Sequence, residues 1–155
     1  MLPQFYRFIV VNNSGQTLTY NTNGRLNLKM TAIHYNTSTG KVVYTPLSDD
    51  DLGFGAGDST ADGAEDKSSE IDNTSNLYLG LQVQLEVTHD EGDAADGTFD
   101  IYLDGGDATG ELASDASGYN NAEANKLTLV GKLVWESNGL DDEVMRSQVF
   151  QLGGV

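Results

Sequence analysis

A chain of 155 residues with 38% hydrophobic and 8% aromatic content is long enough to bury a core within one domain, which excludes wholesale disorder. Its 24 acids against eight basic residues give a formal charge of −16, which argues against direct binding of nucleic acid or of an anionic membrane surface, since both need clustered cations. With no cysteine there is neither a disulfide framework nor thiolate chemistry, and no apolar run approaches the roughly 20 residues of a membrane span.

The opening residues 1–11 lack a basic region followed by a small-residue cleavage site, so they read as a first strand and not as a leader. Residues 5–12 are β-branched and aromatic, and Asn12-Asn13-Ser14-Gly15 supplies turn chemistry into a short partner at 16–20, a predicted hairpin. After a second turn, Leu26, Leu28, Met30 and Ala32 alternate with Asn27, Lys29 and Thr31. Thr37-Ser38-Thr39-Gly40 then turns the chain into residues 41–45, which Pro46 ends. The first 45 residues are predicted to form a meander, and they hold four of the eight basic residues. Residues 48–75 change character, with nine acids against the single Lys67, and are expected to be a long acidic insertion loop with a helical turn near 64–71.

Residues 77–88 carry the clearest period-two pattern. Leu77, Leu79, Leu81, Val83, Leu85 and Val87 alternate with polar or small residues, as a half-buried strand requires. An acidic loop leads to 98–104, where Phe99, Ile101 and Leu103 are expected inward and Asp100, Tyr102 and Asp104 outward. A second Gly/Asp-rich connection fills 105–125. Leu127, Leu129, Leu133 and Trp135 form a further strand face, in which Gly131 marks a bulge or a close approach. Residues 146–152 give the last strand. Seven or eight strands without a long helix predict an all-β fold, an antiparallel sandwich or jelly-roll-like domain spanning 1–155.

Chemistry is sparser. Clustered acids with glycine suit calcium, which takes six to eight oxygen ligands. The candidates are Asp90, Glu91, Asp93 and Asp96, with Asp49, Asp50 and Asp51 and the pair Asp104 and Asp107 behind them. None has the alternating spacing of an EF-hand, and solvated loops are the ordinary alternative. His34 and His89 lack a metalloprotease context, and no G-x-S-x-G elbow exists, so no catalytic residue and no cofactor is assigned. Tyr78 and Tyr102, with Gln82 and Gln84 as nearby hydrogen bonders, are candidates for stacking against a sugar from an outer sheet face, although cross-strand packing or cover of an interface is the ordinary explanation.

The run Asn76-Leu77-Tyr78-Leu79-Gly80-Leu81-Gln82-Val83-Gln84-Leu85-Glu86-Val87, followed by Gly97-Thr98-Phe99-Asp100-Ile101-Tyr102-Leu103-Asp104 and by Val130-Gly131-Lys132-Leu133, resembles a pattern in small virion proteins of tailed bacteriophages. The resemblance covers about residues 76–135. It implies a non-enzymatic structural subunit (capsid decoration, collar or tail-associated) that assembles through loops and strand edges. Its partners would be copies of itself, as a homo-oligomer, and other virion proteins, and it would reside in a virion assembled in the host cytoplasm. A tail-tube subunit with an acidic lumen is an alternative within that class, and a calcium- or carbohydrate-binding sandwich is one outside it. The charge asymmetry between meander and loops also predicts a head-to-tail contact between copies that salt weakens.

Overall fold

Alternating apolar side chains build two antiparallel sheets that press their greasy faces together. In a computed structural model of the chain, the residues described are 2–19, 25–47, 52, 59–89, 96–107, 112–115, 127–136 and 143–153. The chain starts in the first sheet with β1 (Phe5–Asn13) and passes through β2 (Leu18–Thr19) into the second with β3 (Arg25–Asn36) and β4 (Lys41–Pro46). It returns through β5 (Ser59–Thr60) to β6 (Glu65–Lys67) and β7 (Ile71–Asp72) in the first. One helical turn, α1 (Asn73–Asn76), leads to β8 (Gly80–His89) in the second sheet. The first sheet is completed by β9 (Asp96–Gly106) and β10 (Thr128–Glu136), with a 3₁₀ turn at Ala113–Asp115 between them. The second is completed by β11 (Glu143–Arg146) and β12 (Phe150–Gly153).

The first sheet runs β10-β9-β1-β6, with β7 continuing beside β1 below β6. The second runs β11-β8-β3-β4, with β12 continuing beside β8. β2 and β5 form a small separate pair. Every pairing is antiparallel, so the fold is an all-β sandwich.

The core follows from the alternation. Tyr6, Phe8 and Val10 of β1, and Phe99 and Ile101 of β9, meet Leu26, Leu28 and Ala32 of β3 and Leu81, Val83, Leu85 and Val87 of β8 in one buried cluster. Burying each of the larger side chains is worth about 1.5–3 kcal/mol. Phe99 and Trp135 add an edge-to-face contact at 5.9 Å. Gly131 sits where β10 slips register against β9, and a Cβ there would lie 2.1 Å from the Phe150 ring of β12. The bulge and the close approach expected of Gly131 are therefore one device, which lets the two sheets touch at that corner.

Several sequence expectations are revised. β1 does not pair with the described residues 16–19 of the predicted partner; it is flanked by β9 on one side and by β6 and β7 on the other, because the chain changes sheet after β1. The predicted meander is therefore split between the two layers. Of the 48–75 stretch, the described residues 59–72 supply β5, β6 and β7, of which β6 and β7 pair with β1 in the first sheet, so this part is not an insertion loop. The helical turn lies at Asn73–Asn76 instead of 64–71, because Asp72 caps it: its carboxylate accepts from the Thr74 N–H at 2.8 Å. Leu77 ends that turn in the left-handed region at φ 52°, so β8 begins at Gly80, and Leu77 and Leu79 stay exposed. The last strand is two, broken at 147–149.

The outward acids of β9 are also not solvated. Asp104 is buried, and its carboxylate accepts from the N–H groups of Ala113 (3.1 Å) and Ser114 (2.8 Å). Lys67 on β6 donates to the Ser114 carbonyl at 3.1 Å, so the 3₁₀ turn is strapped to the outer face of the first sheet at two points. Ile9, Val11 and Leu112 are buried yet stand outside the main cluster, as a turn packed over that face requires. Asp100 is buried beside Lys132, 2.6 Å away, and accepts from the Thr98 hydroxyl at 2.6 Å. That hydrogen bond to Asp100 holds the Lys132 ammonium above its usual range.

Candidate functional site

An edge strand presents unpaired N–H and C=O groups, and proteins that do not use an edge blunt it. Two sheets give four edges here, and three of them are blunted. Between β6 and β7 the chain leaves the ladder at Ser68. Its N–H still donates to the Phe8 carbonyl (2.9 Å), but its hydroxyl, not a carbonyl, accepts from the Phe8 N–H (2.9 Å). Between β11 and β12, Ser147 does the same to Leu85: its N–H donates to the Leu85 carbonyl at 2.9 Å and its hydroxyl accepts from the Leu85 N–H at 3.0 Å. Both serines are buried, and each hydroxyl donates a hydrogen bond to the next residue's carbonyl, Ser69 at 3.0 Å and Gln148 at 2.7 Å. The inner strand stays satisfied while the edge strand is broken into short pieces.

The β6 edge carries a second guard. Asp66 lies opposite Val10 and points to the inner side, bonded to the Thr60 hydroxyl. Burial pushes its carboxyl up to about 6; the Thr60 hydrogen bond opposes this and neighbouring Glu65 adds to it. On the remaining edge of the first sheet, β10 is bent by its register shift and carries Lys132 and Glu136.

The fourth edge is different. β4 is six residues long and pairs with β3 without a break from Asn36↔Lys41 to Thr31↔Pro46. Five of its six residues are exposed. On the outer face, Tyr44 (57% exposed) and Val42 (38%) stand beside Tyr35 (53%) of β3, an aromatic and β-branched surface. Behind it, His34 is held by the Thr45 hydroxyl at 2.9 Å and meets the Tyr78 ring edge-on at 6.3 Å. The hairpin turn closes on Gly40 at φ +66°. Residues 1–48 hold Arg7, Arg25, Lys29 and Lys41 and no acid, whereas all 24 acids follow residue 48. Within that acid-free part β1 is shielded on both sides, so the β3–β4 hairpin is where it meets solvent as a continuous strand surface.

The residues singled out for other chemistry fall elsewhere. Asp90, Glu91 and Asp93, like Asp49, Asp50 and Asp51, lie outside the described residues. Asp96 opens β9 opposite Glu136, and among the described residues no group of three His, Asp or Glu side chains is placed to hold a metal. Asp104 is consumed by the 3₁₀ turn, and exposed Asp107 does not join it there. Tyr78 packs against the core cluster and is not on an outer face; Tyr102 is half-buried, its hydroxyl pushed up by burial and by the charge of Asp100. Among the described residues the exposed tyrosines are Tyr35 and Tyr44, which sequence reasoning passed over.

A hollow of about 190 Å³ lies beside the end of β4, lined by Lys29, Thr31, Pro46, Gln82, Gln84 and Val149 among others. Its described lining contains no carboxylate or histidine, so it offers no acid–base pair. Lys29 and Arg146 both reach Glu86 on this outer face; burial opposes ionisation of Glu86, but the two cations outweigh it and hold its carboxyl below the usual range. Among the described residues no helix is long and apolar enough to cross a membrane. Comparison with family models, with curated proteins and with solved structures finds no match.

Proposed function

We propose that this chain is a non-enzymatic structural subunit of a tailed-bacteriophage particle, built to assemble with other proteins through a strand edge. The observation that carries the reading is β4: an unbroken, solvent-facing six-residue edge on a sandwich whose other three edges are interrupted or bulged. A scaffold that interrupts or bends three edges and leaves Val42, Val43 and Tyr44 on an unbroken fourth has a use for the fourth. The sequence resemblance over residues 76–135 supplies the phage context, and the exposed Tyr35, Val42 and Tyr44 supply the contact chemistry. The test is to purify particles from the host that carries this sequence and quantify the protein by mass spectrometry. A fixed stoichiometry per particle is expected; absence from washed particles overturns the reading.

A further inference from the structure

We infer that β4 pairs antiparallel with β4 of a second copy, joining the two second sheets into one continuous sheet across a two-fold axis. This deepens the structural-subunit reading, and its biological meaning rests on it. An antiparallel edge is its own complement, so a second copy satisfies the free backbone groups of both chains at once. Faces must match across such a joint, which requires opposing residues of the same parity. A register centred on Val43 meets that condition. It sets Val42 of one copy opposite Tyr44 of the other, an aromatic–β-branched pair of the kind that stabilises sheets. Pro46, which has no N–H to donate, then falls at the rim opposite Gly40 of the second copy.

Charge permits this occupant. Two molecules of charge −16 repel, and contact through surface that follows residue 48 brings acids against acids. The acid-free β3–β4 hairpin avoids that. The two Lys41 side chains stay four residues apart along the joint, roughly 13 Å at the rise of a strand, which exceeds the screening length at physiological salt.

Sedimentation equilibrium of the full chain at micromolar concentration, in low and in high salt, tests the pairing. Wild type is expected at twice 16.6 kDa, and added salt should tighten the dimer by screening repulsion. The double variant Val42→Glu/Tyr44→Glu alters two exposed positions and is expected to weaken dimerisation at least about tenfold. It should keep the wild-type circular dichroism and melting temperature extrapolated to zero concentration. The control Leu129→Glu/Val134→Glu, exposed on β10, should leave the dimer intact. A monomeric wild type, a double variant that still dimerises, or a dimer that salt weakens overturns the β4 pairing, the last in favour of basic-against-acidic contact. The two readings separate cleanly. A monomer that is nonetheless found in particles sinks the pairing and keeps the structural role, whereas a β4 dimer absent from particles does the reverse.

Discussion

The β11–β12 edge and the β4 edge border the same sheet, yet one is closed and the other open. On the closed side, Ser147 steps out of the ladder and lends its hydroxyl to the Leu85 N–H, so the central strand β8 is satisfied while the outer strand is cut short. On the open side β4 follows β3 residue for residue and turns Val42 and Tyr44 to water. The first sheet repeats the closed arrangement at Ser68, opposite Phe8. One buried hydroxyl per edge is enough to keep an inner strand paired without offering a neighbour a long template. The contrast teaches that edge exposure here is local and independently set: a serine decides it on one side and its absence on the other.

The strongest way to break the contrast is to remove a guard. Ser147→Ala leaves the buried Leu85 N–H without its acceptor, and Ser68→Ala does the same to Phe8. Each is expected to cost about 1–3 kcal/mol in chemical denaturation. Equal stability of both variants to wild type would mean that the backbone re-pairs and the serines are dispensable. Gly131→Ala attacks the β10 edge, where the new methyl must displace the Phe150 ring, and a loss of about 1–3 kcal/mol is expected by the same measurement.

Asp66 sharpens the contrast through pH. Its folded carboxyl titrates near 6, above the 3.8 of an unperturbed Asp, so the folded state favours the protonated form. The stability it supports is fully present below about 3.8 and is lost as pH rises through about 6. Asp66→Asn keeps an acceptor for Thr60 and removes the buried charge. It should raise stability at pH 8 by about 1 kcal/mol, the two-unit shift being discounted for partial exposure, and flatten the pH profile between 4 and 7. A variant less stable than wild type at pH 8 would contradict that assignment. The smallest effect belongs to the open edge: Tyr44→Thr should change the stability of the monomer by less than about 0.5 kcal/mol, because that side chain is 57% exposed.

The elements easiest to read from the sequence were those whose local pattern and tertiary role coincide. Leu81, Val83, Leu85 and Val87 announce β8 because alternation is enforced by burial of one face, and Phe99 and Ile101 do the same for β9. The face of Asp100 and Asp104 was legible but their burial was not, because period two assigns a side chain to a face without saying what later covers that face. The turn that covers Asp104 arrives ten residues downstream. Glu65–Lys67 is too short and too charged to look like a strand, and it becomes one only because β1 offers a partner. Ser68 and Ser147 left no sequence signal, since a serine among polar neighbours looks like loop whether or not its hydroxyl replaces a carbonyl. β4 was visible as a strand, but its solitude was not, because an edge is a property of the whole topology.

The route of the chain between the sheets bears on how the molecule is made. Its described elements cross from one layer to the other five times, and the central strand β8 receives its outer neighbours, β11 and β12, only from residues 143–153, far downstream of it. Until then a row of Leu and Val stands on a half-paired strand, which is the kind of species that aggregates or waits for a chaperone. The β3–β4 hairpin, by contrast, closes over a four-residue turn and can form early. The proposed assembly through β4 therefore has a built-in timing problem, since the joining edge is ready before the body behind it is finished, and slow production or low temperature should favour correctly folded material over tangled nascent chains.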